Sequence, residues 1–166
     1  LSLDLLLTRL MTLITEAFGA ERSSLFLYDA DSGELFSRIA QGDLVEDIRF
    51  PADAGIAGLV FSGGEPAVIH DAYADPRFNS AIDATTGYRT RNILCVPLRA
   101  RSGDIIGVTE VLNKHHGDFT ATDCALGRPA SKVNRNDQRS SSFALPSTYR
   151  RSSSKPFSPS APSVRS

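Results

Sequence analysis

The stretch Pro51-Ala-Asp-Ala-Gly-Ile-Ala-Gly-Leu-Val-Phe-Ser-Gly-Gly64 sets the reading of the whole chain. Pro51 and Asp53 close an extended segment, and Gly55 permits a sharp backbone turn. Ile56, Leu59 and Val60 then repeat at helical spacing until Gly63 and Gly64 interrupt them. A helix that starts directly after a glycine turn leaves N–H groups unpaired in its first turn. Together with the helix dipole, those groups suit an anion such as a phosphate. The same residues also serve as a plain tight turn, with Gly58 easing close packing.

Strand patterns surround this helix. Ser24–Tyr28 and Glu34–Ala40 flank the turn Asp29–Gly33 and read as an antiparallel hairpin. Asp47–Phe50 alternates as a third short strand, and Pro66–Ile69 is a brief one opening on proline. Residues 70–92 form a long polar connection with a short helix near Ser80–Thr85 and scattered apolar anchors at Tyr73, Phe78, Ile82 and Tyr88. Residues 93–99 and 104–113 make a second hairpin. At the front, Leu3, Leu6, Leu7, Leu10, Leu13, Ile14, Ala17 and Phe18 fall on one helical stripe that Gly19 stops. Such a stripe packs on the domain's own sheet, on a partner helix, or on both. This order implies an α+β domain with helices on an antiparallel sheet.

Charge divides the chain. Residues 1–127 carry 10 Lys/Arg against 18 Asp/Glu, a net −8, whereas residues 128–166 carry 8 against 1, a net +7. An acidic body argues against nucleic-acid binding by the folded part. Asp4, Arg9 and Glu16 interrupt the apolar opening, which argues against a membrane span. Cys95 and Cys124 give no metal or disulfide framework and fit a reducing cytoplasm. His70, His115 and His116 make no metal pattern, and no nucleophile has a matched base, so neither a catalytic site nor a cofactor is expected. The organisation reads as an N-terminal helix over 1–19, a body over 20–126 and a disordered Ser/Arg/Pro-rich tail over 127–166. A chain opening on Leu1 reads as a fragment, and the abrupt change of composition suggests a tail foreign to the domain.

The motifs resemble those of a GAF domain of the type found in cyclic-nucleotide phosphodiesterases and bacterial adenylyl cyclases. The matching pieces are Arg22–Asp29, Phe50–Gly58, Asp71–Phe78, Thr86–Pro97 and Ile106–Lys114, in the family's order. The resemblance implies a six-stranded antiparallel sheet with helices on one face and a ligand under the long loop on the other. It implies a cyclic phosphate on the N–H groups of Ile56 and Ala57, with Thr86 and Thr90 at the phosphate and ribose end. Ser24, Asp83 and Glu110 match polar positions near the base and lid. Asn79 stands where relatives can place an aromatic, and Ala40 and Gln41 replace the Phe-Asp of a related cyclic-GMP-binding domain. Losing the aromatic at 40 removes a stacking surface. Gln41 can donate and accept side by side, as an adenine edge requires, and this tilts the expectation from cyclic GMP toward cyclic AMP.

Read singly, these residues also have plain structural roles: Ser24 on a wet strand face, Asp83 on a helix surface, the threonines in a loop. The family's Asn-Lys…Phe…Asp signature matches Asn113-Lys114 and Phe119…Asp123, implying a Lys114–Asp123 ion pair, with Cys124 where the family has Glu. The helix expected after Asp123 looks missing, because Gly127, Arg128 and Pro129 would end one begun at Ala125. Its loss would uncover residues 3–18 and favour a homodimer through the first helix. Two functions remain open: a cyclic-nucleotide-sensing regulatory module, and a ligand-free dimerisation or scaffold module. On either, enzymatic activity would belong to another domain.

Overall fold

The computed structural model describes residues 2–40 and 48–127. Gln41 and the tail over 128–166 lie outside the described residues. In order come α1 (Leu3–Ala17), β1 (Ala20–Asp29), β2 (Glu34–Ala40), β3 (Arg49–Pro51), α2 (Gly55–Gly63), β4 (Ala67–Ile69), a 3-10 turn (Ala72–Ala74), α3 (Ala81–Thr86), β5 (Ile93–Arg99), β6 (Ile105–Lys114) and α4 (Ala121–Leu126). The strands make one six-stranded sheet in the order β3-β2-β1-β6-β5-β4. Every neighbouring pair is antiparallel. The two long strands, β1 and β6, sit side by side at its centre, so both faces of the sheet are built on them.

Successive strand residues point to opposite faces. On one face Phe26, Ile93, Cys95 and Val108 pack with Ile56, Ala57 and Val60 of α2 and with Ile69 and Ala72. On the other, Leu94, Val96 and Val111 pack with Ala20 and Phe119, flanked by Ile14, Phe18 and Cys124. α2 spans nine residues and covers only part of its face. The connection 70–92 lies over the remainder.

α1 starts on Ser2, whose hydroxyl accepts from Leu5 N at 3.2 Å. Its seating differs from the leucine stripe read in the sequence. The buried residues are Met11 and Thr15, and Thr15 Oγ1 meets Ser23 Oγ of β1 at 2.6 Å. Ile14 and Phe18 flank that seam, while Leu3, Leu6, Leu10 and Leu13 are 62%, 53%, 47% and 62% exposed. At 100° per residue, that leucine row lies roughly a quarter-turn or more from the Met11–Thr15 seam. The stripe therefore divides, with one part on the sheet and the other facing outward.

Toward the end, Thr120 and Asp123 form a reciprocal capping box, and α4 begins at Ala121, earlier than the Ala125 start read in the sequence. It runs six residues and stops at Leu126 before Gly127. Lys114 Nζ lies 2.5 Å from Asp123 Oδ2, tying β6 to this helix.

Gly58 fixes the approach of α2 to the preceding turn. A Cβ there would stand 2.4 Å from the carbonyl carbon of Asp53, which is backbone and cannot swing away. Gly58→Ala is expected to destabilise the fold by about 1–3 kcal/mol, the usual cost of overpacking. Urea denaturation measures it; an unchanged midpoint would show that the turn yields freely.

Candidate functional site

A cavity of about 150 Å³ lies between the sheet, the start of α2 and the connection 70–92. At about 10–15 Å³ of such space per water, it has room for roughly ten waters, or one small organic molecule. Its floor is the sheet. Arg22, Ser24 and Phe26 alternate along β1, and Glu110 and Leu112 stand beside them on β6. In register, Ser24 pairs with Glu110 and Arg22 with Leu112. Ile48 and Phe50 close one end, Ala54 to Ala57 form a wall, and Arg77 to Thr90 supply the roof.

The wall is the glycine turn and helix start. Gly55 adopts φ +68°, a left-handed conformation that a side chain disfavours. Ala54 is the N-cap and offers no side-chain acceptor, and the first helical bond runs from Gly58 N to Ala54 O at 2.9 Å. The N–H groups of Gly55, Ile56 and Ala57 therefore have no intrahelical acceptor at the cavity wall.

Asp83 organises the roof. This residue is only 6% exposed. Its carboxylate accepts from Thr90 N at 2.6 Å, Thr90 Oγ1 at 2.8 Å and Tyr73 OH at 3.0 Å. The Thr86 hydroxyl donates to Ile82 O at 3.0 Å and accepts from Tyr88 N at 3.3 Å. Both threonines line the cavity, but their hydroxyls bind the roof itself. Asn79 Oδ1 accepts from Ala81 N at 3.1 Å and opens α3.

A second cluster holds the roof to the sheet. Tyr88 OH donates to Glu21 Oε2 at 2.9 Å, and the same carboxylate accepts from Asn113 Nδ2 at 3.0 Å and Arg91 Nη2 at 2.9 Å. The Arg22 guanidinium sits 4.0 Å from the centre of the Tyr88 ring. Burial and the neighbouring Glu21 carboxylate hold the Tyr88 phenol well above its usual pKa, so it stays a donor.

Glu110 is different. No described side chain bonds to it, and loss of bulk water alone pushes its pKa up to about 7. By surface area the residue is half-buried, and its carboxyl borders the cavity space.

Eight residues singled out in the sequence thus line one cavity: Ser24, Ile56, Ala57, Asn79, Asp83, Thr86, Thr90 and Glu110. Ala40 pairs through its backbone with Ser24 at the end of β2. Sequence reasoning missed Arg22 and Phe26, although both lie two residues from Ser24 and so share its face. It also missed Phe78, Ile82 and Tyr88 as site residues, having read them only as anchors of the loop.

The family model described as GAF domain matches residues 2–128. The chain belongs to the GAF family. Its sequence is 38% identical over 134 residues to the Caenorhabditis elegans protein named "Probable 3',5'-cyclic phosphodiesterase pde-5", an alignment covering 74% of this chain and 18% of that protein. The chain therefore spans less than a fifth of that relative's length. Among solved GAF-like structures, a free methionine-R-sulfoxide reductase from Neisseria meningitidis, solved with its substrate, is 29% identical. It superposes with a TM-score of 0.62, covering 75% of this chain and 71% of that one. The GAF domain of a phosphoenolpyruvate-protein phosphotransferase from Coxiella burnetii superposes with a TM-score of 0.66 at 24% identity, covering 75% and 74%. In this GAF domain Cys95 is buried in the α2-side core and Cys124 packs against the α1-side cluster. Among the described residues no helix is long and apolar enough to cross a membrane.

Two outcomes follow from the roof and floor. Thr90→Val removes one donor from the buried Asp83 carboxylate and should cost about 1–3 kcal/mol locally. Amides of residues 81–90 should then exchange faster with solvent; unchanged exchange would remove Asp83 as the roof's anchor. For Glu110, the folded pKa of about 7 lies above the usual 4.5. Its contribution is therefore complete below 4.5 and is lost as pH rises through about 7. Relative to Glu110→Gln, the parent should lose about 1–3 kcal/mol between those limits. Chemical denaturation at pH 4.5 and 8 checks the sign; a constant difference would place Glu110 in contact with water.

Proposed function

We propose that this GAF domain is the ligand-sensing regulatory part of a signalling protein and that its cavity takes a cyclic nucleotide. The observation that carries this reading is the first turn of α2. Three backbone donors without intrahelical acceptors meet a cavity that also carries the Arg22 guanidinium. That arrangement suits a small anion joined to an aromatic body, since apolar Phe26, Phe50, Ile82 and Leu112 line the remainder. The 38% identity to a protein named as a cyclic phosphodiesterase supports the same class of ligand. The phosphate would lie on the N–H groups of Ile56 and Ala57. The base would lie toward Ser24 and Glu110, with Asn79, Asp83, Thr86 and Thr90 forming the closing roof and Ala40 and Gln41 near the base. Gln41 favours cyclic AMP, while Glu110 offers a second determinant of base choice. Catalysis would belong to another domain, and two cysteines outside any disulfide fit a cytoplasmic setting.

A ligand-free dimerisation module is the second reading. The exposed row Leu3, Leu6, Leu10 and Leu13 favours it, since an outward leucine face suits a second copy of α1. The two readings are compatible, and a regulatory dimer would use both surfaces.

Calorimetric titration of the whole chain with cyclic AMP and cyclic GMP separates them. Binding on the order of micromolar, roughly −8 kcal/mol, is expected for at least one nucleotide. Ala57→Pro removes one donor in the first helical turn, where proline is tolerated, and should weaken binding by about 1–3 kcal/mol. A folded Ala57→Pro variant that binds as the parent does would move the phosphate away from α2. Sedimentation as a dimer with no nucleotide bound would leave the scaffold reading standing alone.

A further inference from the structure

Two cationic side chains line the cavity among the described residues, Arg22 and Arg77. Asp75 holds the Arg77 guanidinium through both of its carboxylate oxygens. Arg22 makes neither a hydrogen bond nor an ion pair with any described residue. Its guanidinium lies over the Tyr88 ring, 4.0 Å from the ring centre. A guanidinium resting on a ring is held in place without using its five N–H donors. Those donors stay available to an oxyanion in the cavity.

The nearby carboxylates leave Arg22 unpaired, and two of them are already held by other donors. Glu21, its neighbour in sequence, accepts from Tyr88 OH at 2.9 Å, Arg91 Nη2 at 2.9 Å and Asn113 Nδ2 at 3.0 Å. Asp83 accepts from Thr90 and Tyr73. Glu110 lines the same cavity and makes no ion pair with Arg22. Glu21 is not a lining residue. It is fixed from outside the cavity by Asn113, which also accepts from Arg91 N at 2.6 Å and donates to Arg89 O at 2.8 Å. The end of the roof and the end of β6 are thereby tied together around Glu21, and the hydroxyl of Tyr88, a lining residue, joins this tie from the cavity side.

We propose that Glu21 is a positioning residue for the anion of the bound ligand, acting through Tyr88 on Arg22. Its bond to the Tyr88 hydroxyl fixes the ring on which Arg22 rests. Three donors on its carboxylate keep it from drawing the guanidinium out of the cavity. This rests on the reading of the cavity as a cyclic-nucleotide site. Loss of the Tyr88 hydroxyl undoes both effects together. The ring is released, and Glu21 regains acceptor capacity beside Arg22. An arginine drawn into that ion pair no longer meets the ligand. The clasp therefore contributes to binding only through the charge at position 22. A clasp that merely closed the roof would contribute whatever residue stood there.

That difference sets the test, a double-mutant cycle read by calorimetric titration of the whole chain with cyclic AMP and cyclic GMP. Tyr88→Phe keeps the ring and is expected to weaken binding about three- to tenfold. Arg22→Leu is expected to weaken it about ten- to a hundredfold, as loss of a charged hydrogen bond does. The double variant should bind no more weakly than Arg22→Leu alone. Glu21→Ala should match Tyr88→Phe; should that variant fail to fold, the Tyr88 and Arg22 arms decide. Tyr88→Phe binding as the parent does overturns the inference. So does a loss on Tyr88→Phe that persists undiminished in the Arg22→Leu background, which would make the clasp a roof tie only. Arg22→Leu binding as the parent does overturns it too, and leaves the cyclic-nucleotide reading on the α2 donors intact. A parent that binds neither nucleotide overturns that reading and this inference with it.

Discussion

The roof of the cavity depends on Asp83. A carboxylate only 6% exposed must be met by donors, and Thr90 and Tyr73 supply them. Thr90 lies at the far end of the connection and Tyr73 near its beginning. One side chain thereby draws both ends of a polar segment onto α3. Segments of that composition have no apolar stripe to bury, so polar bonds must replace the missing hydrophobic contact. Removal of Asp83 would take away this tie beneath Phe78 and Ile82, which help close the cavity from above, while Tyr88 keeps its own bond to Glu21.

Much of the fold was legible because turn residues mark where its elements stop. Gly33 separates β1 from β2, and Gly55 and Gly64 bracket α2 so closely that its ends could be read directly. The first helix was legible as a helix but not in its seating. Leucines dominate its sequence, yet the sheet receives Met11 and Thr15, because a hydroxyl pair with Ser23 holds the helix at that rotation. The capping box at Thr120 and Asp123 was also in the sequence, as a threonine followed three residues later by an acid. It was overshadowed by Gly127 and Pro129 after it.

The candidate site was legible by family spacing and less so by chemistry. Ser24 and Glu110 were found as single positions, whereas the strand period beside Ser24 also brings in Arg22 and Phe26. Thr86 and Thr90 were expected as ligand contacts because they match family positions at the phosphate and ribose end. In three dimensions both have partners within the roof. Which polar groups are already satisfied depends on contacts between segments distant in sequence, and no local pattern encodes it.

Ser23 and Ser24 are neighbours on β1 and face opposite ways. Ser24 lies on the cavity floor, and Ser23 is fully buried against Thr15 and the Met11 carbonyl of α1. One peptide unit therefore separates the enclosed space from the helix on the far side of the sheet. That unit is planar and spans about 3.8 Å from Cα to Cα. The sheet at this point is a thin diaphragm rather than a wall, with α1 resting on its back.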